Sequence, residues 1–88
     1  MENKKIIIDV RTPEEYSGGC CAGSINIPLN EIEKRVDEIK QMNQPIILCC
    51  ASGMRSGQAT AFLKSLGIDC QNGGSWVDVN YLTNKNWY

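Results

Sequence analysis

Apolar positions along the chain fall into short blocks, and the spacing inside the blocks switches between continuous runs and helical repeats. Lys5 to Val10 (KIIIDV) is a continuous run rich in β-branched residues, the mark of a strand buried on both faces. The next stretch, Thr12-Pro13-Glu14-Glu15, predicts a helix start. Thr12 caps it, Pro13 takes the first helical position, Glu15 completes a capping box, and Gly18 and Gly19 end it. Gly23 to Ile27 (GSINI) predicts a brief strand stopped by Pro28. Asn30 then opens a second helix with Glu33 in the same capping relation, and Ile32, Val36 and Ile39 form one core-facing stripe. Pro45 introduces a strand over 46–49. After a polar loop, Ala59, Phe62, Leu63 and Leu66 carry helical spacing up to a natural stop at Gly67. Ile68 to Cys70 predicts a last strand and 75–82 a final helix.

Strands alternating with helices in this order predict an α/β fold, a small and mostly parallel central sheet flanked by helices. Sites in such folds collect beyond the carboxyl ends of the strands. Three segments arrive there: Asp9-Val10-Arg11, Cys49-Cys50 with its loop, and Asn72-Gly73-Gly74. With 88 residues and no repeat or linker, the chain is expected to form one domain over 1–88. Its 9 basic and 10 acidic residues are mixed along the chain with no basic face, which argues against nucleic acid or an anionic membrane as partner. The opening MENKK is followed by only three apolar residues before Asp9, too few for a signal peptide, so a cytoplasmic setting is expected. There the five cysteines, Cys20, Cys21, Cys49, Cys50 and Cys70, are expected as free thiols. Histidine is absent, which excludes Ser-His-Asp and Cys-His mechanisms within the chain. With no C-x2-C spacing either, neither a metal nor a cofactor is expected.

The chemistry concentrates at Cys50. Between strand and helix lies Ala51-Ser52-Gly53-Met54-Arg55-Ser56, where Gly53 permits a tight turn with positive φ and lets successive backbone N–H groups converge. The helix beginning near Arg55 or Ser56 adds the positive end of its dipole. An anion is stabilised at that point, and settings of this kind lower a cysteine pKa from about 8.5 to about 3.5–7.5. Cys50 is thereby expected to be a nucleophile without a histidine base. Strand alternation keeps Cys49 out of the loop and turns it toward a helix as a small core residue. Asp9 is expected to accept backbone N–H bonds in a turn and Arg11 to pair with Glu15. Gly73-Gly74 is read as a turn bringing the last helix over the site. Trp76, Tyr81, Trp87 and Tyr88 serve either as cover for a core edge or as a ligand or partner surface.

Four motifs together, Asp9-Val10-Arg11-Thr12-Pro13-Glu14-Glu15-Tyr16, Gly23-Ser24-Ile25-Asn26-Ile27-Pro28, Cys50-Ala51-Ser52-Gly53-Met54-Arg55-Ser56 and Asn72-Gly73-Gly74-Ser75-Trp76, closely resemble a single-domain rhodanese over nearly the whole chain. The resemblance implies a sulfurtransferase. Cys50 takes a sulfane sulfur from thiosulfate, polysulfide or a protein persulfide and passes it to a thiol, cyanide or a thioredoxin-like protein. It also implies that Ala51, Ser52, Gly53, Met54 and Arg55 cradle the sulfur, with Arg11 as a further anion contact, in a monomer. Four residues separate Cys50 from Arg55. By the same resemblance, related phosphatases and arsenate reductases carry five, a ring fitted to a tetrahedral oxyanion.

Two departures matter. Ala51 stands where relatives often carry a basic residue, so thiosulfate is expected to be a poor donor compared with polysulfide or a protein persulfide. Cys20-Cys21-Ala22 stands where relatives often carry His-Ile-Pro, and Cys20 is read either as a small residue at a loop–strand junction or as an auxiliary thiol for sulfur on Cys50. The alternatives in other classes are a non-catalytic rhodanese-like module that binds a partner protein and a redox-sensing thiol protein.

Overall fold

The computed structural model describes residues 5–85. In chain order it contains β1 (Ile6–Asp9), α1 (Pro13–Ser17), β2 (Ile25–Asn26), two 3-10 turns (Leu29–Glu31 and Glu33–Arg35), α2 (Val36–Lys40), β3 (Ile46–Cys50), α3 (Met54–Ser65), β4 (Cys70–Ser75) and α4 (Trp76–Asn84). The four strands form one sheet in the order β2-β1-β3-β4, and every neighbouring pair is parallel. From β1 the chain builds outward to β2 on one side and then returns to place β3 on the other. The carboxyl ends of β1 and β3 therefore flank the point where strand order reverses, and Asp9 and Cys49 are register partners there.

Alternation along the strands divides the core into two layers. Ile8, Val10, Ile46, Leu48 and Cys50 face Ile32, Ile39, Ala59 and Leu63, the layer of α2 and α3. Ile7, Ile47 and Cys49 face the opposite way, toward Cys21, Val79 and Trp76. All five residues of β3 are buried, as expected of a central parallel strand.

The start of α1 follows the sequence reading. Thr12 Oγ1 accepts from Glu15 N–H at 3.2 Å, and Glu15 Oε1 accepts from Thr12 N–H at 2.9 Å. The region after Pro28 differs. Asn30 caps nothing; two 3-10 turns come first, and α2 begins only at Val36 with no side-chain cap. The tight i to i+3 closures, Glu31 N–H to Pro28 C=O at 2.8 Å and Ile32 N–H to Leu29 C=O at 3.2 Å, still turn Ile32 inward, so the expected stripe survives on a mixed helix. On α3 the buried residues are Ser56, Ala59, Thr60 and Leu63. Leu66 lies past the last helical turn and is 42% exposed rather than in the core.

The final strand is the largest difference. It begins at Cys70 and runs through Asn72 and Gly73-Gly74, the pair expected as a turn, to Ser75. Leu48 pairs with Asn72 and Cys49 with Gly74, so Gly73 is the extra residue of a β-bulge. A Cβ at Gly73 would lie 2.6 Å from Val79 Cγ2 and 2.8 Å from Ile47 Cγ2, which is why this position holds glycine. Ser75 then caps α4, accepting from Asp78 N–H at 3.1 Å.

Candidate functional site

The site forms where β3 ends and α3 begins. Gly53 takes φ +103° and caps α3, a left-handed conformation in which a side chain is strained. This turn folds the loop back on Cys50. The Gly53 N–H donates to Cys50 Sγ at 2.9 Å, the Ser56 N–H approaches at 3.5 Å and the Ser56 hydroxyl at 3.4 Å. Cys50 itself is fully buried, while Ala51, Ser52 and Met54 are exposed. Burial is the largest single influence on the thiol and pushes its pKa up. The Ser56 hydroxyl and the Ser56, Gly53 and Ser52 N–H groups together outweigh it, leaving Cys50 at about 7. The neighbouring Cys49 has burial and the nearby Asp9 without comparable donors, and is pushed up to about 12. Two adjacent cysteines thus have opposite characters because they lie on opposite faces of one strand.

The predicted consequence is a pH-dependent thiol. Alkylation of Cys50 by iodoacetamide, read by tandem mass spectrometry to separate it from Cys49, is expected to rise with a midpoint near 7, whereas Cys49 stays unmodified up to high pH. Because the folded pKa of Cys50 lies below that of an ordinary thiol, its ionisation stabilises the fold fully above about pH 9, and that contribution is lost as pH falls through about 7. A midpoint near 9 for Cys50 would refute the cradle.

Arg55 does not reach for an anion in this arrangement. Its Nη1 and Nη2 donate to Glu15 Oε1 at 2.8 Å and Oε2 at 3.1 Å, a two-pronged ion pair between the loop and α1. The Arg55 guanidinium, with the Thr12 N–H, holds the Glu15 carboxyl down at about 2. Arg11, expected as an anion contact, lies inside the fold. Its Nε and Nη2 donate to the fully buried Asp9 carboxylate at 2.8–3.0 Å, its Nη1 to the Glu15 carbonyl at 3.3 Å and its Nη2 to the Gly19 carbonyl at 2.7 Å. Trp76 covers it at 4.9 Å. The expected pairing of Arg11 with Glu15 is made only through that carbonyl, because the carboxylate is taken by Arg55. Asp9 does accept a backbone N–H, that of Arg11 at 3.0 Å.

Sequence reasoning missed two residues. Ser56 was read only as part of the loop, yet its hydroxyl and N–H both face the sulfur. Asn72 is expected at the carboxyl edge of the sheet but with no role, yet its side chain bonds the loop and Ser56. A serine seven positions into a C-x4-R-S loop starting a helix was the available signal for the first; the bulge that aims Asn72 left no pattern. Cys20 is half-buried and Cys21 lies in the α4-side core layer. Trp76 lies over Arg11, Tyr81 is exposed, and Trp87 and Tyr88 lie outside the described residues. A surface groove of about 240 Å³ runs between Leu29, Ile32, Ala59 and Phe62, and no residue of the 50–55 loop lines it. Among the described residues no cluster of three His, Cys, Asp or Glu side chains is placed to hold a metal, and no helix is long and apolar enough to cross a membrane.

A family model described as "Rhodanese-like domain" matches residues 1–79. The chain is 41% identical over 64 residues to the uncharacterized protein YqhL of Bacillus subtilis, covering 73% of this chain and 50% of that one. It is 36% identical over 74 residues to the thiosulfate sulfurtransferase PspE of Escherichia coli, covering 82% of this chain and 71% of that one. The chain thus spans about half the length of the first of these relatives. Among solved structures, "rhodanese with anions from E. coli" superposes with a TM-score of 0.77 at 35% identity, over 85% of this chain and 91% of that one.

Proposed function

The chain belongs to the rhodanese-like domain family, and from that premise we propose that it is a sulfurtransferase working through a persulfide on Cys50. The observation that carries this reading is the convergence of the Gly53 and Ser56 donors on one sulfur at the carboxyl end of the sheet. In the first half-reaction the Cys50 thiolate attacks the sulfane sulfur of the donor. The donor S–S bond breaks, its leaving group departs with the bonding pair, and Cys50 becomes a persulfide whose outer sulfur carries the charge. In the second, a thiol or cyanide attacks that outer sulfur, and the Cys50 thiolate is regenerated. The loop's N–H groups favour the anion at both resting stages. The relative PspE, a thiosulfate sulfurtransferase, supports the same class of reaction for this chain.

Donor choice follows from charge. Arg55 is neutralised by Glu15 and Ala51 brings no cation, so a doubly charged donor gains little at the loop. Polysulfide or a protein persulfide is the favoured donor over thiosulfate. Replacing Glu15 with Gln removes the competing charge while keeping an acceptor for the α1 cap, and is expected to raise kcat/KM for thiosulfate by about threefold to fivefold, the scale of one exposed ion pair. Polysulfide turnover should change less. Steady-state rates with both donors measure this; equal effects on the two would argue against charge as the selector.

The reading itself is tested by intact mass. The protein treated with polysulfide should gain one sulfur, located on Cys50, and lose it on addition of cyanide or a thiol with stoichiometric product. Absence of the adduct with both polysulfide and thiosulfate overturns the proposal.

A further inference from the structure

Asn72 stands on β4 beside the bulge, on the face that meets α3. Its Nδ2 donates to the Gly53 carbonyl at 3.0 Å, and its Oδ1 accepts from the Ser56 hydroxyl at 2.6 Å and from Gly74 N–H at 3.0 Å. Both loop residues it holds are the ones whose donors meet the Cys50 sulfur. The Gly53 carbonyl also accepts the Gly57 N–H at 2.9 Å, so its two lone pairs are filled by the helix and by Asn72. Room for the amide is made by Gly57 on α3, where a Cβ would lie 3.2 Å from Nδ2. The Gly73 bulge shifts the strand register beside Asn72.

We infer that Asn72 is a positioning residue for Cys50, fixing the Gly53 turn and the Ser56 hydroxyl so that the loop's donors stay aimed at the sulfur. The amide is suited to this because it presents a donor to a carbonyl and an acceptor to a hydroxyl at the same time. The Asn72 oxygen, 2.6 Å from the Ser56 oxygen, fixes the hydroxyl beside the sulfur 3.4 Å away. Without Asn72, Gly53 is left in a left-handed conformation with one anchor fewer, and its N–H, the closest donor to the sulfur, loses its fixed direction.

The role as a positioning residue for sulfur transfer rests on the function proposed above, but its first test does not. The pH profile of Cys50 alkylation by iodoacetamide reads the thiol with no sulfur donor present. In Asn72→Ala the midpoint is expected to rise by about one pH unit, which is about tenfold slower alkylation at pH 6, since hydrogen bonds to the charged form are what depress it. The charge-neutral Asn72→Ser, too short to reach the Gly53 carbonyl, should shift in the same direction and serves if the alanine variant does not fold. In turnover with polysulfide, kcat at pH 7 should fall with KM little changed, and should recover at higher pH. A folded Asn72→Ala or Asn72→Ser with the wild-type alkylation midpoint overturns the inference. Wild-type protein that takes up no sulfur overturns the function and leaves the alkylation result to stand on its own.

Discussion

Cys50→Ser is expected to lose sulfur uptake and transfer by at least about 10^3-fold, the scale seen when an enzyme's nucleophile is removed. The hydroxyl fits the same space and accepts the same Gly53 N–H, but the donors that bring a thiol to about 7 do not ionise an alcohol at neutral pH. At about pH 6, where the thiol is mostly neutral, stability should change by less than about 1 kcal/mol, because the buried oxygen keeps a hydrogen-bond partner. Cys49→Ser is the informative contrast. That sulfur packs with Ile7, Ile47 and Val79, so a hydroxyl there is expected to cost about 1–3 kcal/mol while leaving transfer intact. Intact mass after polysulfide and urea unfolding of both variants measure the pair of effects. Sulfur transfer retained in Cys50→Ser would move the chemistry to another thiol.

Asp9→Ala is expected to destabilise the domain by about 3–5 kcal/mol, the range for breaking one side of a buried ion pair. Asp9 is fully buried and Arg11 is 5% exposed. The carboxylate accepts from Arg11 Nε, Nη2 and backbone N–H, and without it a guanidinium stays inside the fold with only the Glu15 and Gly19 carbonyls and the Trp76 ring for company. Replacing both partners, Asp9→Leu with Arg11→Met, should recover much of the loss, since the uncompensated charge is then gone. The urea midpoint reports each variant; a loss below about 1 kcal/mol for Asp9→Ala would mean that the pair does not anchor β1 to the loops around it.

The α/β class and the parallel sheet were legible because β1 and β3 are buried on both faces and therefore carry continuous rather than alternating apolar residues, Ile6 to Ile8 and Ile46 to Cys50. The cap at Thr12 was legible because a capping box is written in four consecutive residues. Cys50 and its glycine turn were equally local. What the sequence concealed depends on partners distant along the chain. Glu15 looks like the natural partner of Arg11 four residues away, yet Arg55, forty positions on, takes its carboxylate. Glycines argue against a strand at 72–74, and only the bulge against β3 makes one possible. The helix after Pro28 carried the correct stripe, but the choice between 3-10 and α closure was settled by where Leu29 and Ile32 enter the core.

The tandem cysteine on β3 has one further use. Cys49 packs under α4 with its thiol pushed up to about 12, so it stays neutral and unreactive near neutral pH while that layer covers it. Its modification rate in the native protein is therefore a built-in clock for local opening beneath α4, running one residue away from a sulfur that reports the other layer.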